Sequence, residues 1–167
     1  MGAGKTTVAG LLAQRWGVDV RDTDSDVEAA AGKSISEIFV DDGEEHFRAL
    51  ERVAVAQALS THPGVLALGG GAVLDPDTRA LLRGHRVVFL SVGLSDAVKR
   101  VGLGVGRPLL LGNVRSRIKA LLDERQPIYA AVATVSVTTD GREPEDVAAE
   151  VAAHVEQQTA TGPGGAS

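Results

Sequence analysis

The sequence predicts an α/β fold in which a central parallel sheet lies between two layers of helices. Short apolar runs with strand character alternate with helical segments along the 167 residues. Polar or glycine-rich clusters follow the strands or open the helices, which is where α/β sheets bind ligands. The composition is globular, with 44% hydrophobic but only 3% aromatic residues. We therefore expect a core of Val, Leu, Ala and Ile, in one domain over residues 1–157 with a disordered tail over 158–167.

The amino-terminal half is expected to alternate two short strands with helices. In the first helix apolar residues recur at helical spacing, and a Ser-x-x-Glu capping box opens a later helix. Strands are expected where a short apolar run ends at a charged or glycine-rich turn. In chain order these elements are helix Thr6–Trp16, strand Val18–Arg21, helix Ser25–Ala31, a short helix after Ser34–Glu37, helix Glu44–Leu59 and strand Val65–Leu68.

The carboxy-terminal half continues the alternation. Pro76 suits the first turn of a helix, where an amide has no intrahelical acceptor. Pro127 is expected to end or bend its helix, because it lacks a backbone donor. The expected elements are a helix opened by Asp75–Pro76, strand Arg86–Val92, helix Ser95–Val101, a glycine-rich segment Gly102–Gly112, helix Asn113–Ala130, strand Thr134–Thr138 and helix Pro144–Gln157.

The bulk composition excludes several classes of protein. A net charge of −5 argues against a nucleic-acid-binding surface. The absence of cysteine excludes disulfides, thiolate catalysis and cysteine-ligated metals. The sequence has no apolar run as long as a membrane span and no signal-peptide pattern. We expect a cytoplasmic monomer that binds neither membranes nor nucleic acid.

The chain begins with the last part of the phosphate-binding pattern G-x-x-x-x-G-K-[ST], followed at once by a helix. Its glycines allow the backbone to approach phosphate oxygens, and the amides of the helix amino terminus attract the anion. The lysine would reach the outer phosphates, and the first threonine would bind Mg²⁺. A chance glycine-rich terminus is the alternative. The residues are Gly2, Ala3, Gly4, Lys5, Thr6 and Thr7.

Two carboxylates, Asp22 and Asp24, follow the expected strand Val18–Arg21. One could hold Mg²⁺, directly or through water, and the other could accept a proton from a substrate hydroxyl. The alternative is an acidic turn that caps the next helix, because Asp is a favoured N-cap residue. Beside a phosphate-binding loop, the chemical interpretation is the favoured one.

Arg48 and Glu51 lie three residues apart in the expected helix Glu44–Leu59, so their side chains can pair. A paired arginine keeps one orientation, which suits bidentate binding of a carboxylate. The usual alternative for such a spacing is a solvated ion pair.

Three consecutive glycines, Gly69, Gly70 and Gly71, follow the expected strand Val65–Leu68. Glycines at a strand end give a ligand free access to backbone amides. A tight crossover between elements is the alternative. We favour a second ligand-binding wall at this turn.

The segment at about residues 102–112 has the features of a mobile lid. Alternating glycines permit large backbone changes, and Arg107 lies near its far end. A lid that closes over ATP would exclude water and bring a cation to the transferring phosphoryl group. A floppy surface loop is the alternative, but the apolar run Pro108–Leu110 argues against it.

Three further arginines accompany these clusters. Arg100 precedes the lid, and Arg125, near the end of the helix that follows it, could be a second carboxylate-binding group. Arg142, together with Pro144, lies just past the last strand and could flank an adenine ring. The alternative for each arginine is a favourable charge near a helix end.

Taken in order, the segments GAGKTT, DTD, FR, GGGA, GRPLL and R-x-P-x-Y resemble those of the shikimate kinases, from Gly2 to about Val155. The Gly-Lys-Thr triplet alone would fit many families, whereas the ordered set is specific. The resemblance implies a P-loop NTPase fold with a mobile lid at about 102–112 and a helical substrate-binding region at about 23–60. It also implies ATP-dependent phosphorylation of shikimate to shikimate 3-phosphate, in aromatic amino-acid biosynthesis.

The resemblance also implies roles for single residues. Lys5, Asp24 and Arg107 would be catalytic, with Asp24 as the base, and the metal would be held by Thr6 and, through water, by Asp22. The residues that would bind ATP are Gly2, Ala3, Gly4, Lys5, Thr6, Thr7, Arg100, Arg107, Arg142 and Pro144. The residues that would bind shikimate are Asp24, Arg48, Gly69, Gly70, Gly71 and Arg125, the two arginines acting on its carboxylate.

The sequence departs from the family in two places. The strand that should precede the phosphate-binding loop is absent, together with the first loop glycine, so we expect the natural start to lie upstream of Met1. The lid is also more apolar than is usual.

Two other functions remain open: another small-molecule kinase, such as a gluconate kinase, and a non-catalytic nucleotide-binding module.

Overall fold

The computed structural model describes residues 2–102 and 111–160 of the chain. Its contacts divide the chain into two compact units, the first formed by Met1–Leu12 with Arg86–Ser167 and the second by Ala13–His85. Among the described residues, each unit contains one pair of parallel strands with helices around it. The α/β fold class with parallel strands is thus confirmed, and its strands form two separate ladders.

The second unit is built on strands β1, Val20–Asp22, and β2, Val65–Ala67. They pair in parallel with Val20 opposite Val65, so both strands end at the same edge of the sheet. Each ends within one residue of its predicted end. The other elements of this unit are helices α2, Thr23–Ala31, α3, Ile35–Asp41, α4, Gly43–Thr61, and α5, Pro76–Leu81, with a 3₁₀ turn at Ala72–Leu74.

Local capping signals set the helix boundaries in this unit. The Ser34 side chain accepts a hydrogen bond from the backbone of Glu37, whose side chain accepts one from the backbone of Ser34, so the predicted capping box is present. Gly32, at a positive φ of 69°, terminates α2 in the left-handed conformation that favours glycine. Helices α2, α3 and α4 then pack through a buried cluster: Val27, Ile38, Phe47 and Ala54.

The first unit is built on strands β3, Val88–Ser91, and β4, Val135–Thr138. A buried cluster of Val92, Ala97 and Ile118 joins the end of β3 to two helices, and Ala3 packs against it. The helices of this unit are α6, Leu94–Gly102, α7, Leu111–Val132, and α8, Pro144–Ala160, while α1, Lys5–Trp16, begins here and ends in the second unit.

Helix α7 continues past Pro127 to Val132, as the predicted helix Asn113–Ala130 requires, so the proline does not end it. The proline removes one backbone hydrogen bond, but tertiary contacts hold the turn that follows. The ring of Tyr129 stacks on Phe89 of β3, with ring centroids 4.9 Å apart. This contact anchors the carboxy-terminal part of the helix.

The glycine-rich segment was expected to be neither helix nor strand over its whole length. The helices instead include its ends, because α6 extends to Gly102 and α7 begins at Leu111. The rest of the predicted lid, with Arg107, lies outside the described residues. Within the described parts of the chain, every helix is too short or too polar to cross a lipid bilayer.

A glycine in the interior of α1 provides a test of how this helix is packed. An added methyl group at Gly10 would have no atom within 4 Å, and its φ is not positive. We expect Gly10→Ala to raise the free energy of unfolding by about 0.5–1 kcal/mol, because glycine in a helix interior costs that much conformational entropy. Chemical denaturation of the two proteins measures the change.

Gly17→Ala is the matched control, since a methyl group there also meets nothing within 4 Å but the backbone has a φ of +62°. We expect it to lower the stability by about 1–2 kcal/mol. A loss of stability in both variants would mean that the interior of α1 is not packed as described.

Candidate active site

The polar residues of the second unit collect where β1 and β2 end. Asp22 is the last residue of β1 and the N-cap of α2, and its Oδ1 accepts a hydrogen bond from the backbone of Asp24 at 3.0 Å. The capping interpretation of this acidic turn is therefore realised. The cap also fixes the backbone from which the half-buried side chain of Asp24 projects.

Thr23, between these two aspartates, was not singled out by the sequence, yet it is fully buried. Its hydroxyl donates a hydrogen bond to the carbonyl oxygen of Ala67 at 3.4 Å and accepts one from the amide of Gly69 at 3.2 Å. Thr23 thus joins the end of β1 to the glycine turn after β2. The only sequence signal for this role was the position of a small polar residue between two acidic ones.

Gly69 lies directly against two carboxylates. A Cβ atom at this position would lie 2.5 Å from Oδ1 of Asp24 and 2.7 Å from Oε1 of Glu51. Real Cβ atoms essentially never approach other atoms so closely. The two carboxylates therefore share the space in front of Gly69, and only glycine leaves room for them.

Arg48 is held by glutamates on both sides along α4. Its Nη1 lies 2.6 Å from Oε2 of Glu51, and its Nη2 lies 3.2 Å from Oε1 of Glu44. The predicted pair with Glu51 is thus present, and Glu44 adds a second partner. The Glu51 side chain is only 4% exposed, which is not the solvated pair of the alternative interpretation.

These partners also fix the charge of Arg48. Burial favours the neutral guanidine and by itself lowers the pKa of Arg48, whereas the hydrogen bonds and charges of Glu51 and Glu44 raise it. The net effect is a pKa above the ordinary value for arginine. Arg48 is therefore a permanent cation in a fixed orientation.

The guanidinium of Arg48 lies across Gly71. A Cβ atom there would lie 2.1 Å from Nη1 and 2.6 Å from Cζ, so a side chain at this position would displace the arginine. The turn is shaped by successive hydrogen bonds, from the amide of Ala72 to the carbonyl of Gly69 at 3.1 Å and from that of Leu74 to that of Gly71 at 3.0 Å. Gly70 lies between these two positions.

The second unit thus presents a glycine backbone faced by the Asp24 carboxylate and by the Arg48 cation. A carboxylate can accept hydrogen bonds from hydroxyl groups, and a guanidinium can bind a carboxylate through two parallel hydrogen bonds. The arrangement suits a small molecule that carries both kinds of group.

The phosphate-loop residues belong to the first unit. Gly2 and Gly4 have positive φ values of 71° and 75°, which explains the glycines, and α1 begins immediately afterwards at Lys5. The carbonyl of Gly4 accepts a hydrogen bond from the amide of Val8, so the helix continues without a break. First-turn amides have no intrahelical acceptor and can bind an anion, and Thr6 and Thr7 are exposed there.

Arg100 of α6 connects the phosphate loop to the end of β4. Its Nη1 donates hydrogen bonds to the carbonyl of Gly2 at 2.9 Å and to the hydroxyl of Thr139 at 3.1 Å. Its Nη2 donates to the carbonyl of Thr139 at 2.8 Å. Arg100 therefore binds protein oxygen atoms from two loops that are far apart in sequence.

Arg142 and Pro144 flank the turn between β4 and α8. Arg142 donates to the carbonyls of Thr138 and Asp146, each at 3.2 Å, and its Nη1 lies 2.6 Å from Oε2 of Glu150. Pro144 begins α8. The arginine thus braces both sides of the turn.

The same turn is linked to the start of α6 by two reciprocal sets of hydrogen bonds. The carboxylate of Asp140 accepts hydrogen bonds from the amide of Gly93 at 2.8 and 3.0 Å. The carboxylate of Asp96, in α6, accepts one from the amide of Gly141 at 2.9 Å. Gly141 has a positive φ of 62°, so glycine is favoured at this point of the turn.

Arg125, on α7, carries a buried donor. Its Nε is inaccessible to solvent and has no hydrogen-bond partner among the described residues. Buried donors are nearly always satisfied by the protein, by water or by a ligand. The position of this nitrogen is unlike that of an arginine that merely adds charge to a helix end.

The predicted site residues therefore fall into two groups. Asp22, Asp24, Arg48 and the glycine turn are assembled within the second unit, whereas the phosphate-loop residues, Arg100, Arg125, Arg142 and Pro144 belong to the first. Arg107 lies outside the described residues. The buried residues Thr23 and Glu51 complete the part of the site in the second unit.

Comparison with known proteins gives one consistent result. The family model described as shikimate kinase matches residues 1–156. The chain is 67% identical over 152 residues to the shikimate kinase of Salinispora arenicola, covering 91% of each sequence. It is 62% identical over 151 residues to that of Thermobifida fusca, covering 90% of this chain and 88% of the relative.

Solved structures agree. A shikimate kinase from Acinetobacter baumannii in complex with shikimate superposes with a TM-score of 0.87 at 33% identity, covering 95% of this chain and 89% of that one. The shikimate kinase from Aquifex aeolicus gives a TM-score of 0.80 at 28% identity, covering 97% and 95%.

Proposed function

This chain belongs to the shikimate kinase family, and we propose that it transfers the γ-phosphoryl group of ATP to a hydroxyl group of shikimate to form shikimate 3-phosphate. The observation that carries the proposal is the group formed by Asp24, Glu51 and Arg48 against the glycine turn. It combines a hydroxyl acceptor and a carboxylate-binding cation, which are the two functions that a hydroxylated ring acid requires.

In this proposal two arginines bind the shikimate carboxylate. Arg48 is already oriented and charged by Glu51 and Glu44, so little ordering remains to be done when substrate binds. Arg125 of the first unit is proposed as the second of these arginines. The backbone of Gly69, Gly70 and Gly71 forms the wall beside the ring, and the two closest approaches in this turn explain why side chains are excluded.

Asp24 binds the hydroxyl group that is phosphorylated and accepts its proton. A carboxylate within hydrogen-bond reach of the attacking hydroxyl orients its lone pair and takes up the proton as the new bond forms. The negative charge of its neighbour Glu51 is compensated by Arg48, so the site can hold both carboxylates. The cap formed by Asp22 and the buried hydroxyl of Thr23 keep this segment in place.

The nucleotide is bound by residues of the first unit. The backbone from Gly2 to Thr7 surrounds the phosphates, and Lys5 contacts the outer ones. Arg142 and Pro144 line the adenine side of the site. Arg100 orders this side because it holds Gly2 and Thr139 together. Arg107 of the lid would contact the transferring group.

We propose that Mg²⁺ binds oxygen groups of this chain together with the nucleotide phosphates. Among the described residues no three His, Cys, Asp or Glu side chains converge as a metal site. Mg²⁺ usually keeps several waters and takes one or two protein ligands besides the phosphates. The exposed hydroxyl of Thr6 and the carboxylate of Asp22 would hold it, and when bound it would neutralise phosphate charge.

Catalysis then depends on position and charge. Phosphoryl transfer requires little covalent chemistry from the protein, because the transferring group passes between two oxygens held in line. The arginines and the glycine turn orient shikimate, the loop orients ATP, and the cations stabilise the charge on the equatorial oxygens. A closed lid would keep water from competing with the substrate hydroxyl.

The direct test is ADP release by the purified protein with ATP and Mg²⁺, in the presence of shikimate, of gluconate or of neither. We expect release that depends on shikimate, with the product identified by mass. Release that depends on gluconate would assign the chain to another small-molecule kinase activity. Nucleotide binding without turnover on either compound would contradict the proposal in favour of a binding module.

Asp24→Asn tests the base. The amide keeps the shape of the side chain but cannot take up the proton, so we expect kcat to fall by about 10²- to 10⁴-fold while the melting temperature changes little. Steady-state kinetics and thermal unfolding provide the two measurements.

The control is Asp26→Asn on the same helix, which removes a half-buried ion pair with Arg21 rather than a site residue. Its turnover should stay near that of the parent protein. Near-normal turnover in Asp24→Asn would mean that Asp24 is not the base and has only a structural role.

Gly71→Ala tests the contact between the glycine turn and Arg48. The new methyl group would occupy the place of the guanidinium, so we expect the KM for shikimate to rise by roughly tenfold or more. The KM for ATP should change little. Gly10→Ala, which adds the same group in open space, is the control. An unaltered shikimate KM in Gly71→Ala would show that Arg48 is not placed by this turn.

Arg125→Ala tests the second arginine. A hydrogen bond to a charged group contributes about 1.5–3 kcal/mol, so we expect the KM for shikimate to rise by roughly ten- to a hundredfold with ATP binding nearly intact. Arg117→Ala, an exposed position on the same helix, is the control. If the two variants have the same KM for shikimate, Arg125 does not bind the carboxylate.

A further inference from the structure

The glycine turn of the site continues into a second turn that ends at α5. The amide of Asp75 donates to the carbonyl of Ala72 at 3.3 Å, after the two turn hydrogen bonds already described. The carbonyls of Gly69, Gly71 and Ala72 are thus used within the turn. The next two carbonyls, those of Val73 and Leu74, are bound by a side chain from α5.

That side chain is Arg79. Its Nη1 donates hydrogen bonds to the carbonyl oxygens of Val73 and of Leu74, both at 2.8 Å. Hydrogen bonds from an ionised donor are stronger than those between neutral groups. A single cationic nitrogen therefore fixes two consecutive peptide groups immediately after the site.

The location of these contacts is unusual for an arginine at a helix end. Such a residue commonly interacts with the last carbonyls of its own helix. Arg79 lies in the last turn of α5, yet its partners precede the helix and belong to the turn that leads out of the site. Its bonds therefore act on the turn rather than on the helix end.

Helix α5 is itself fixed to α4, which carries the substrate-site arginine. Asp75 caps α5 by accepting hydrogen bonds from the amides of Asp77 and Thr78, each at 2.9 Å. Its other carboxylate oxygen lies 3.0 Å from Nη1 of Arg52, one helical turn beyond Arg48. Both ends of the segment from Gly71 to Asp75 thus contact α4, and Arg79 braces the part between them.

We infer that Arg79 is a positioning residue for the substrate site, which acts by holding the turn after Gly71 in the shape that supports Arg48. The expected effect on the KM for shikimate rests on the proposed function. The expected effect on the shape of the turn rests on the hydrogen bonds alone. Loss of Arg79 leaves the carbonyls of Val73 and Leu74 without their cationic donor, and the glycine turn can then relax. Because Arg79 does not belong to the nucleotide side, the effect falls on shikimate and spares ATP.

The test compares Arg79→Gln and Arg79→Lys with the parent protein, and uses Arg83→Gln as the matched control. Arg83 is exposed four residues later, in the turn that follows α5, so the same chemical change there serves as a control away from the Val73 and Leu74 carbonyls. For Arg79→Gln we expect the KM for shikimate to rise about tenfold with the KM for ATP within twofold of the parent. Arg79→Lys, whose ammonium can still donate to a carbonyl, should recover part of the loss, and Arg83→Gln should resemble the parent.

A second measurement does not depend on activity. In the substrate-free protein, the amide NMR signals of Gly69, Gly70 and Gly71 should shift in Arg79→Gln and stay in place in Arg83→Gln. Unmoved signals in Arg79→Gln would overturn the inference even if the parent protein is an active shikimate kinase. If the signals shift in Arg79→Gln but the parent protein shows no shikimate-dependent turnover, the proposed function is wrong and the structural role of Arg79 still holds.

The kinetic outcomes are equally decisive. An unchanged shikimate KM in Arg79→Gln, or a parallel rise of both KM values together with a lower melting temperature, would mean that Arg79 supports only general stability. If Arg79→Gln does not fold, Arg79→Lys decides the matter, because a selective rise in its shikimate KM supports the inference and parent-like values overturn it.

Discussion

The ion pair between Arg48 and Glu51 is the constraint on which the site depends. The glutamate is almost completely buried, and a buried carboxylate without a cation is strongly destabilising, so the pair must form whenever the helix is packed. Once formed, the pair fixes the direction of the guanidinium, which then lies across Gly71. The charge that we propose to bind the substrate carboxylate is thus held by a requirement of folding.

The glycine motif follows from this pair by simple exclusion of volume. Gly69 must leave room for the carboxylates of Asp24 and Glu51, and Gly71 must leave room for Arg48. Neither position has a positive φ, so backbone conformation is not the reason for glycine here. The reason is the close approach of charged side chains from two helices to one stretch of backbone.

Local patterns predicted whatever depends on local contacts. The capping box at Ser34 and the pairing of Arg48 with Glu51 involve residues three apart, and both were predictable. The stacking of Tyr129 on Phe89 was not, because it joins residues that are far apart in the sequence. The burial of Thr23 and the contacts of Arg79 and Arg100 likewise come from packing between segments, which no periodicity encodes. The order of the motifs identified the family, whereas the packing explains why these residue types are needed.

The reciprocal hydrogen bonds between the start of α6 and the turn after β4 have a consequence for how this part of the molecule acquires order. Each segment supplies the carboxylate that satisfies an amide of the other, through Asp140 with Gly93 and Asp96 with Gly141. Releasing either segment would break all of these hydrogen bonds together. The two segments therefore stabilise each other, and an event that orders one of them favours order in the other.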